Sequence, residues 1–207
     1  MRLIESRYSR DFRRYNLALR MLSFEVRTST ISRFTGLTSA RIRTLGRSDY
    51  AIDRGALPRR HRGPAPYRIS TILTDPRMRG DVNLVAAIVT LLDGPPRGTE
   101  SSAVTVELRL GEFVCDLYEV YLKLAERRTL TFEQTALIYR SLVRAKQVSL
   151  SACVGCGALV VLDALAIEGK LCRQCVQMPI GLVTGVDSMA LPRVAEEVTQ
   201  AFQLSLF

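Results

Sequence analysis

A mainly α fold is predicted for this 207-residue sequence: a helical bundle with a helix-turn-helix-like segment near its N-terminus and a small C-terminal module of short strands around four cysteines. Three observations predict it. Apolar residues recur at spacings of three and four through most of the chain. A glycine at position 36 separates two short helical patterns. Two C-x-x-C pairs, Cys153/Cys156 and Cys172/Cys175, stand fifteen residues apart. The predicted layout is a helical DNA- or partner-binding region over 1–147, a cysteine module over 148–182 and a tail, itself helical from Pro192, over 183–207. Apolar residues make up 47% and charged residues 24%, the balance of an ordinary globular protein with a real core.

Charge is unevenly placed along the chain. Residues 1–80 carry 18 Arg, no Lys and 6 acids, a net +12, whereas residues 81–207 carry 11 bases and 14 acids, a net −3. An excess confined to one half suggests that this half meets a polyanion. Arg2, Glu5, Arg7 and Arg10 interrupt the N-terminus, so no secretory leader is expected. The longest apolar run, Leu84–Leu92, is about half of the ~20 residues that a membrane span needs. Cysteines committed to a metal rather than to disulfides fit a reducing cytoplasm.

The first helix is predicted from Ser9 to about Arg27. Phe12, Tyr15, Leu19, Leu22 and Val26 form its stripe, Ser9 its cap, and Asp11 an acid in its first turn. Such a stripe packs into the core or pairs with a partner helix. Thr28–Leu45 then reads as helix, turn, helix. Gly36 supplies the left-handed turn conformation, and Ile31, Leu37, Ile42 and Leu45 fall where two crossing helices press together, with the small Ser32 at their close approach. The second helix, capped by Thr38, exposes Ser39, Ala40, Arg41, Arg43, Thr44 and Arg47. Three arginines and two hydroxyls on one face suit a major groove. Arg33, on the first helix, and Ser39, Arg41, Arg43, Thr44 and Arg47 are therefore the candidate DNA contacts. The bland alternative is a helical hairpin with solvated arginines.

Residues 46–80 are rich in Gly and Pro and hold Arg59-Arg60-His61-Arg62, which reads as a long loop, either an arginine arm along phosphates or a connector. A short buried helix is predicted from Asp81 to Asp93, apolar nearly all round. After a loop to about Ser102, Leu110, Phe113, Val114, Leu117, Tyr121 and Leu124 mark a long helix ending near Arg127-Arg128. Thr131 opens another, with Phe132, Ala136, Tyr139 and Val143 on one face and Glu133 in its first turn. Cys115 falls on the long helix as a small core residue.

Two thiolates three positions apart reach one ion from a tight turn, and a second such pair completes a tetrahedral set. Gly155 and Gly157 give the first turn the freedom a knuckle needs. Cys153, Cys156, Cys172 and Cys175 are therefore predicted to hold one structural zinc ion. Paired redox thiols and a disulfide framework are the alternatives. Four sulfurs leave no open coordination position, so the ion stabilises rather than catalyses. Leu159–Leu162 reads as a short strand and Gly169 as a turn back toward Cys172. Catalytic sets are missing from the sequence: the single His61 sits in the basic loop, and neither G-x-x-x-x-G-K-[ST] nor a helix-opening G-x-G-x-x-G occurs. An enzyme acting on a small-molecule substrate is not expected.

The order of these parts, and above all Leu150-Ser-Ala-Cys-Val-Gly-Cys-Gly157 followed by Leu171-Cys-Arg-Gln-Cys175, resembles the FlhC family of bacterial flagellar transcriptional activator subunits. The resemblance covers residues ~10–180 and is fair at Ile31–Leu45. It implies a largely helical subunit with a four-cysteine zinc site, assembled with FlhD-like subunits on double-stranded promoter DNA and recruiting RNA polymerase. The chain departs from the family pattern in having no Trp and a nearly neutral tail from Ile180, so contacts attributed to a basic tail do not carry over. A second reading from the residues alone is a zinc-stabilised protein- or RNA-interaction module without specific duplex recognition.

Overall fold

A computed structural model describes residues 3–48, 61, 63–92, 103–144, 147–164 and 171–177. The described residues form eight helices and one two-stranded sheet: α1 Leu3–Ser23, α2 Thr28–Thr35, α3 Ser39–Arg47, α4 Ser70–Leu73, α5 Arg79–Leu91, α6 Ala103–Leu124, α7 Phe132–Arg144, β1 Val148–Ala152, β2 Leu159–Asp163 and α8 Arg173–Gln177. The mainly α prediction with a small stranded module at the cysteines holds. Among the described residues no helix is long and apolar enough to cross a membrane. Residues 49–60 and 62 of the Arg/Pro-rich stretch, Gly169 and the tail from 183 lie outside the described residues. The rest of 46–80 is not one long loop as expected, because α4 interrupts it and α5 already begins at Arg79.

The chain divides into two compact units. One comprises Met1–Ala65 with Pro95–Tyr118, the other Pro66–Gly94 with Glu119–Phe207. Counted over those residues, the first unit carries 17 basic and 9 acidic side chains, +8, and the second 12 and 11, +1. The basic excess therefore stays with the unit that holds the helix-turn-helix segment.

In the first unit α1 packs on α2 and α3. Its predicted start was wrong, because the helix begins at Leu3 and Ser9 lies inside it rather than capping it. A serine is tolerated there because a helix interior satisfies its backbone groups without the side chain. The buried face is also rotated from the expected stripe. Leu17, Ala18, Met21, Leu22 and Val26 are buried, Tyr15 and Leu19 are half-buried, and Phe12 is exposed. Residues of α6 up to Tyr118 belong to this unit and meet α1 closely. A Cβ on Gly111 would stand 2.8 Å from Leu17 Cδ2 and 3.0 Å from Phe34 Cβ, so only glycine admits this approach. Two ion pairs tie the same helices: Arg13 donates to Glu112 through Nε at 3.0 Å and Nη2 at 2.6 Å, and Arg20 Nη2 to Asp116 at 2.6 Å. Phe24 meets Tyr118 edge to face at 5.2 Å.

The second unit is built around α5, which packs against α7 and β2. Val82, Val85, Ala86, Ile88 and Val89 are buried, but burial ends there: Leu91 is 83% exposed, so the helix is not enclosed all round as its composition suggested. Asp81 gathers the start of α5 and the segment before α7. One carboxylate oxygen accepts from Tyr121 Oη at 2.7 Å, Thr129 N at 2.8 Å and Thr129 Oγ1 at 2.5 Å, and Tyr121 Oη in turn accepts from Leu130 N. The N-terminus of α7 is a reciprocal cap. Gln134 N donates to Thr131 Oγ1 at 3.3 Å, and Thr131 N donates to Gln134 Oε1 at 2.8 Å. Cys115, on the first-unit part of α6, is fully buried, as a small core residue should be.

Candidate metal centre and helix-turn-helix face

β1 and β2 pair antiparallel, with Val148 opposite Asp163 and Ala152 opposite Leu159. The six residues between them make the first cysteine turn. Cys153 N donates to Ala158 O and Gly157 N to Cys153 O, both at 2.8 Å, and Gly157 sits at φ +74° where an L side chain would be strained. Val161 N donates to Asn83 Oδ1 at 3.0 Å, tying the hairpin to α5. The second cysteine pair stands at the start of α8, whose Val176 N bonds back to Cys172 O.

These two turns bring the sulfurs of Cys153, Cys156, Cys172 and Cys175 within 4.8 Å of one another. Cys153 and Cys172 are buried and pack with Val160, while Cys156 reaches the surface. Backbone N–H groups point at the sulfurs. Gly155 N lies 3.4 Å and Cys172 N 3.1 Å from Cys153 Sγ, and Cys175 N lies 3.5 Å from Cys172 Sγ. Burial alone would push the Cys153 thiol up, but the N–H groups of Cys172, Gly155 and Cys156 outweigh it and lower its pKa to about 6. The Cys175 thiol moves the other way, to about 12, because hydrogen bonds with the neighbouring Cys156 and Cys172 sulfurs favour its protonated form. Four thiolates this close repel one another, and a cation between them removes the repulsion. Gly155 is required for the closure: a Cβ there would stand 2.9 Å from Cys175 Sγ. The cluster is compatible with a metal site formed by the predicted cysteines and no other described residue.

In the first unit the helix-turn-helix geometry follows the spacing. Gly36 takes φ +69° and closes α2 by donating to Ser32 O. Ile31, Leu37, Ile42 and Leu45 are buried. Ser32 is half-buried, and its hydroxyl donates to Leu37 O at 2.7 Å, so the small residue also ties the turn. Phe34 and Thr35 were missed as core. Phe34 is 1% exposed, and Thr35 Oγ1 donates to Ile31 O and accepts from Leu37 N across the turn. Thr38 caps α3, accepting from Arg41 N at 3.4 Å.

All six candidate DNA contacts are exposed, Arg33 on α2 and Ser39, Arg41, Arg43, Thr44 and Arg47 on α3. They are not equivalent. The Arg41 guanidinium lies 5.5 Å from the Tyr15 ring centroid and that of Arg33 lies 4.7 Å from the Phe34 ring, so both are drawn onto aromatic faces. Thr44 returns its hydroxyl to Ala40 O. Arg43 and Arg47 make no hydrogen bond or ion pair among the described residues. His61 Nε2 stands 3.6 Å from Glu25 Oε2. Compared with protein-family models and with curated proteins, the sequence matches none.

Proposed function

We propose that the protein is a cytoplasmic DNA-binding transcriptional activator of the FlhC type, acting with an FlhD-like subunit on promoter DNA and recruiting RNA polymerase. The observation that carries this reading is α3: a short capped helix, set by a left-handed glycine turn, that buries Ile42 and Leu45 and presents Arg43 and Arg47 uncommitted to solvent. Its place in the unit with the +8 charge supports a polyanionic partner. In this reading Arg43 and Arg47 read bases or grip phosphates, with Ser39 and Thr44 beside them. Arg41 and Arg33 contribute charge from their aromatic rests.

The cysteine cluster takes one zinc ion. A tetrahedral Zn–S4 site with bonds of about 2.3 Å has sulfurs about 3.8 Å apart, a contraction of at most an ångström or so from the spacing of these thiols. Zinc supplies no chemistry here beyond cross-linking the hairpin to α8, because all four positions are filled by sulfur.

The test is co-purification with the FlhD-like subunit of the same genome, followed by binding to flagellar promoter fragments, random duplex and single-stranded RNA over a range of salt. Tight, salt-sensitive preference for the promoter supports the activator. A second reading has its own observation: Val154 and Val176, flanking the cysteines, are 74% and 62% exposed, as on a protein-contact surface. A complex that forms with a protein or RNA partner yet treats all duplexes alike selects that reading.

A further inference from the structure

One cavity lies away from both sites described above. It is an open cleft of about 260 Å³ in the second unit, lined by Tyr67, by Leu137, Arg140, Ser141 and Arg144 of α7, and by Gln147. Arg140 and Arg144 are one turn apart and so share a face of α7. Among the described residues neither makes a hydrogen bond or ion pair, and none of those that line the cavity is acidic. Ser141, between them, is only 6% exposed, and its hydroxyl likewise has no partner among the described residues. The Ser141 hydroxyl opens on the cavity, where it can donate to or accept from an occupant. Arg68 rests its guanidinium 5.3 Å from the Tyr67 ring centroid.

We infer that this cavity binds a small phosphate monoester. Two unpaired guanidiniums with a hydroxyl and an amide between and beside them present many donors and no fixed negative charge. A carboxylate would satisfy one guanidinium bidentately and leave the other bare. A phosphate monoester, with three peripheral oxygens and nearly two charges, engages both guanidiniums and still accepts from Ser141 Oγ. Leu137 and the Tyr67 ring supply the apolar wall against which the organic part of the ester rests. The inference is independent of the DNA-binding reading and uses none of its residues.

The test is calorimetric titration of the purified full-length protein with inorganic phosphate, ribose 5-phosphate, adenosine monophosphate and adenosine. Saturable binding of the two esters, weaker binding of inorganic phosphate and none of adenosine are expected. Arg140→Gln with Arg144→Gln should weaken ester binding by at least about tenfold, and Ser141→Ala by a smaller factor. Both variants should keep the wild-type melting temperature and metal content. Arg144 is exposed, so Arg144→Gln alone keeps the test open if the double variant does not fold. Three outcomes overturn the inference: no saturable binding at millimolar ester, binding unchanged in Arg144→Gln, or binding abolished equally by chloride at matched ionic strength. Displacement of the ester by duplex DNA, with Arg140→Gln/Arg144→Gln losing DNA affinity in proportion, would reassign the arginines to a nucleic-acid backbone and overturn it too.

Discussion

Arg43 and Arg47 differ from the other arginines of the helix-turn-helix segment in what they already touch. Removing a guanidinium that rests on Tyr15 or Phe34 perturbs packing as well as charge, so Arg41→Ala and Arg33→Ala confound the two effects. Arg43→Ala disturbs no intramolecular hydrogen bond. If Arg43 makes a bidentate guanine contact, its loss costs about 1–3 kcal/mol and relaxes preference at one base pair. A uniform loss over all duplexes with a shallower salt dependence assigns it to phosphate instead, and competition binding against single-base operator variants separates the two. Two glycines give a second residue-scale expectation. At Gly36 a Cβ meets nothing closer than 3.6 Å, so Gly36→Ala pays only for the left-handed backbone, about 1 kcal/mol. At Gly111 the backbone is helical and alanine regains about 1 kcal/mol of helix propensity. Its Cβ, however, collides with Phe34 Cβ, which cannot swing aside as the tip of Leu17 can. Overpacking costs about 1–3 kcal/mol, so Gly111→Ala is expected to be destabilising on balance. Denaturant unfolding of both variants checks the pair, and a stabilised Gly111→Ala would show that α1 and α6 yield more readily than the distances suggest.

At the scale of elements, legibility tracked locality. α2, the turn and α3 were readable because the contacts that fix them lie within eighteen residues, and the buried set around Gly36 is a short spacing rule. The knuckle was readable for the same reason. β1 was not named as a strand although Val148, Leu150 and Ala152 alternate with serines, because five residues of period two beside a cysteine turn also read as loop. The reciprocal cap of α7 was half-seen. Thr131 opens the helix as its sequence predicts, but the residue that completes the cap is Gln134, the N3 partner of a T-x-x-Q pattern, and not the first-turn acid Glu133. Replacing Gln134 by Ala frees Thr131 N and should cost about 0.5–2 kcal/mol, read as a lower melting midpoint with α7 helicity otherwise intact. What could not be read were pairings across about a hundred residues. Arg13 and Arg20 look like part of a DNA-facing charge excess until Glu112 and Asp116 are found beside them. The face of α1 was misjudged for a related reason: its apolar residues form two stripes, and only the approach of α6 at Gly111 decides that Leu17 and Met21 go inward. The phosphate cavity joins Tyr67 to residues seventy to eighty positions later and has no local signature at all.

For the molecule as a whole, the four-cysteine cluster and α3 lie in different compact units, and this separates two kinds of failure. Structural zinc in small modules contributes on the order of 10–16 kcal/mol of folding free energy at neutral pH. At its cysteine end the hairpin has only a small apolar cluster, Val160 with the buried Cys153 and Cys172, whereas Val148 and Val161 are buried in strands that pack on α4, α5 and α7. Cys156→Ser, or chelation of the wild-type protein, is therefore expected to melt the cysteine end of the hairpin and α8 and to lower metal content from one ion per chain to less. A Cys156→Ser protein that stays soluble, metal-free and fully active would refute the structural role. Arg43→Ala and Arg47→Ala should instead leave metal content and thermal stability unchanged while reducing DNA affinity. Salt is the discriminating variable between a functional and a merely solvated basic face. Each phosphate neutralised contributes a slope of about −0.9 to the dependence of log affinity on log salt. Removing one phosphate-binding arginine should flatten that slope by about one unit. An affinity that does not change between low and physiological salt would mean that the +8 charge of the first unit is not what holds DNA, and α3 would then have to be regarded as an ordinary hairpin helix with solvated arginines.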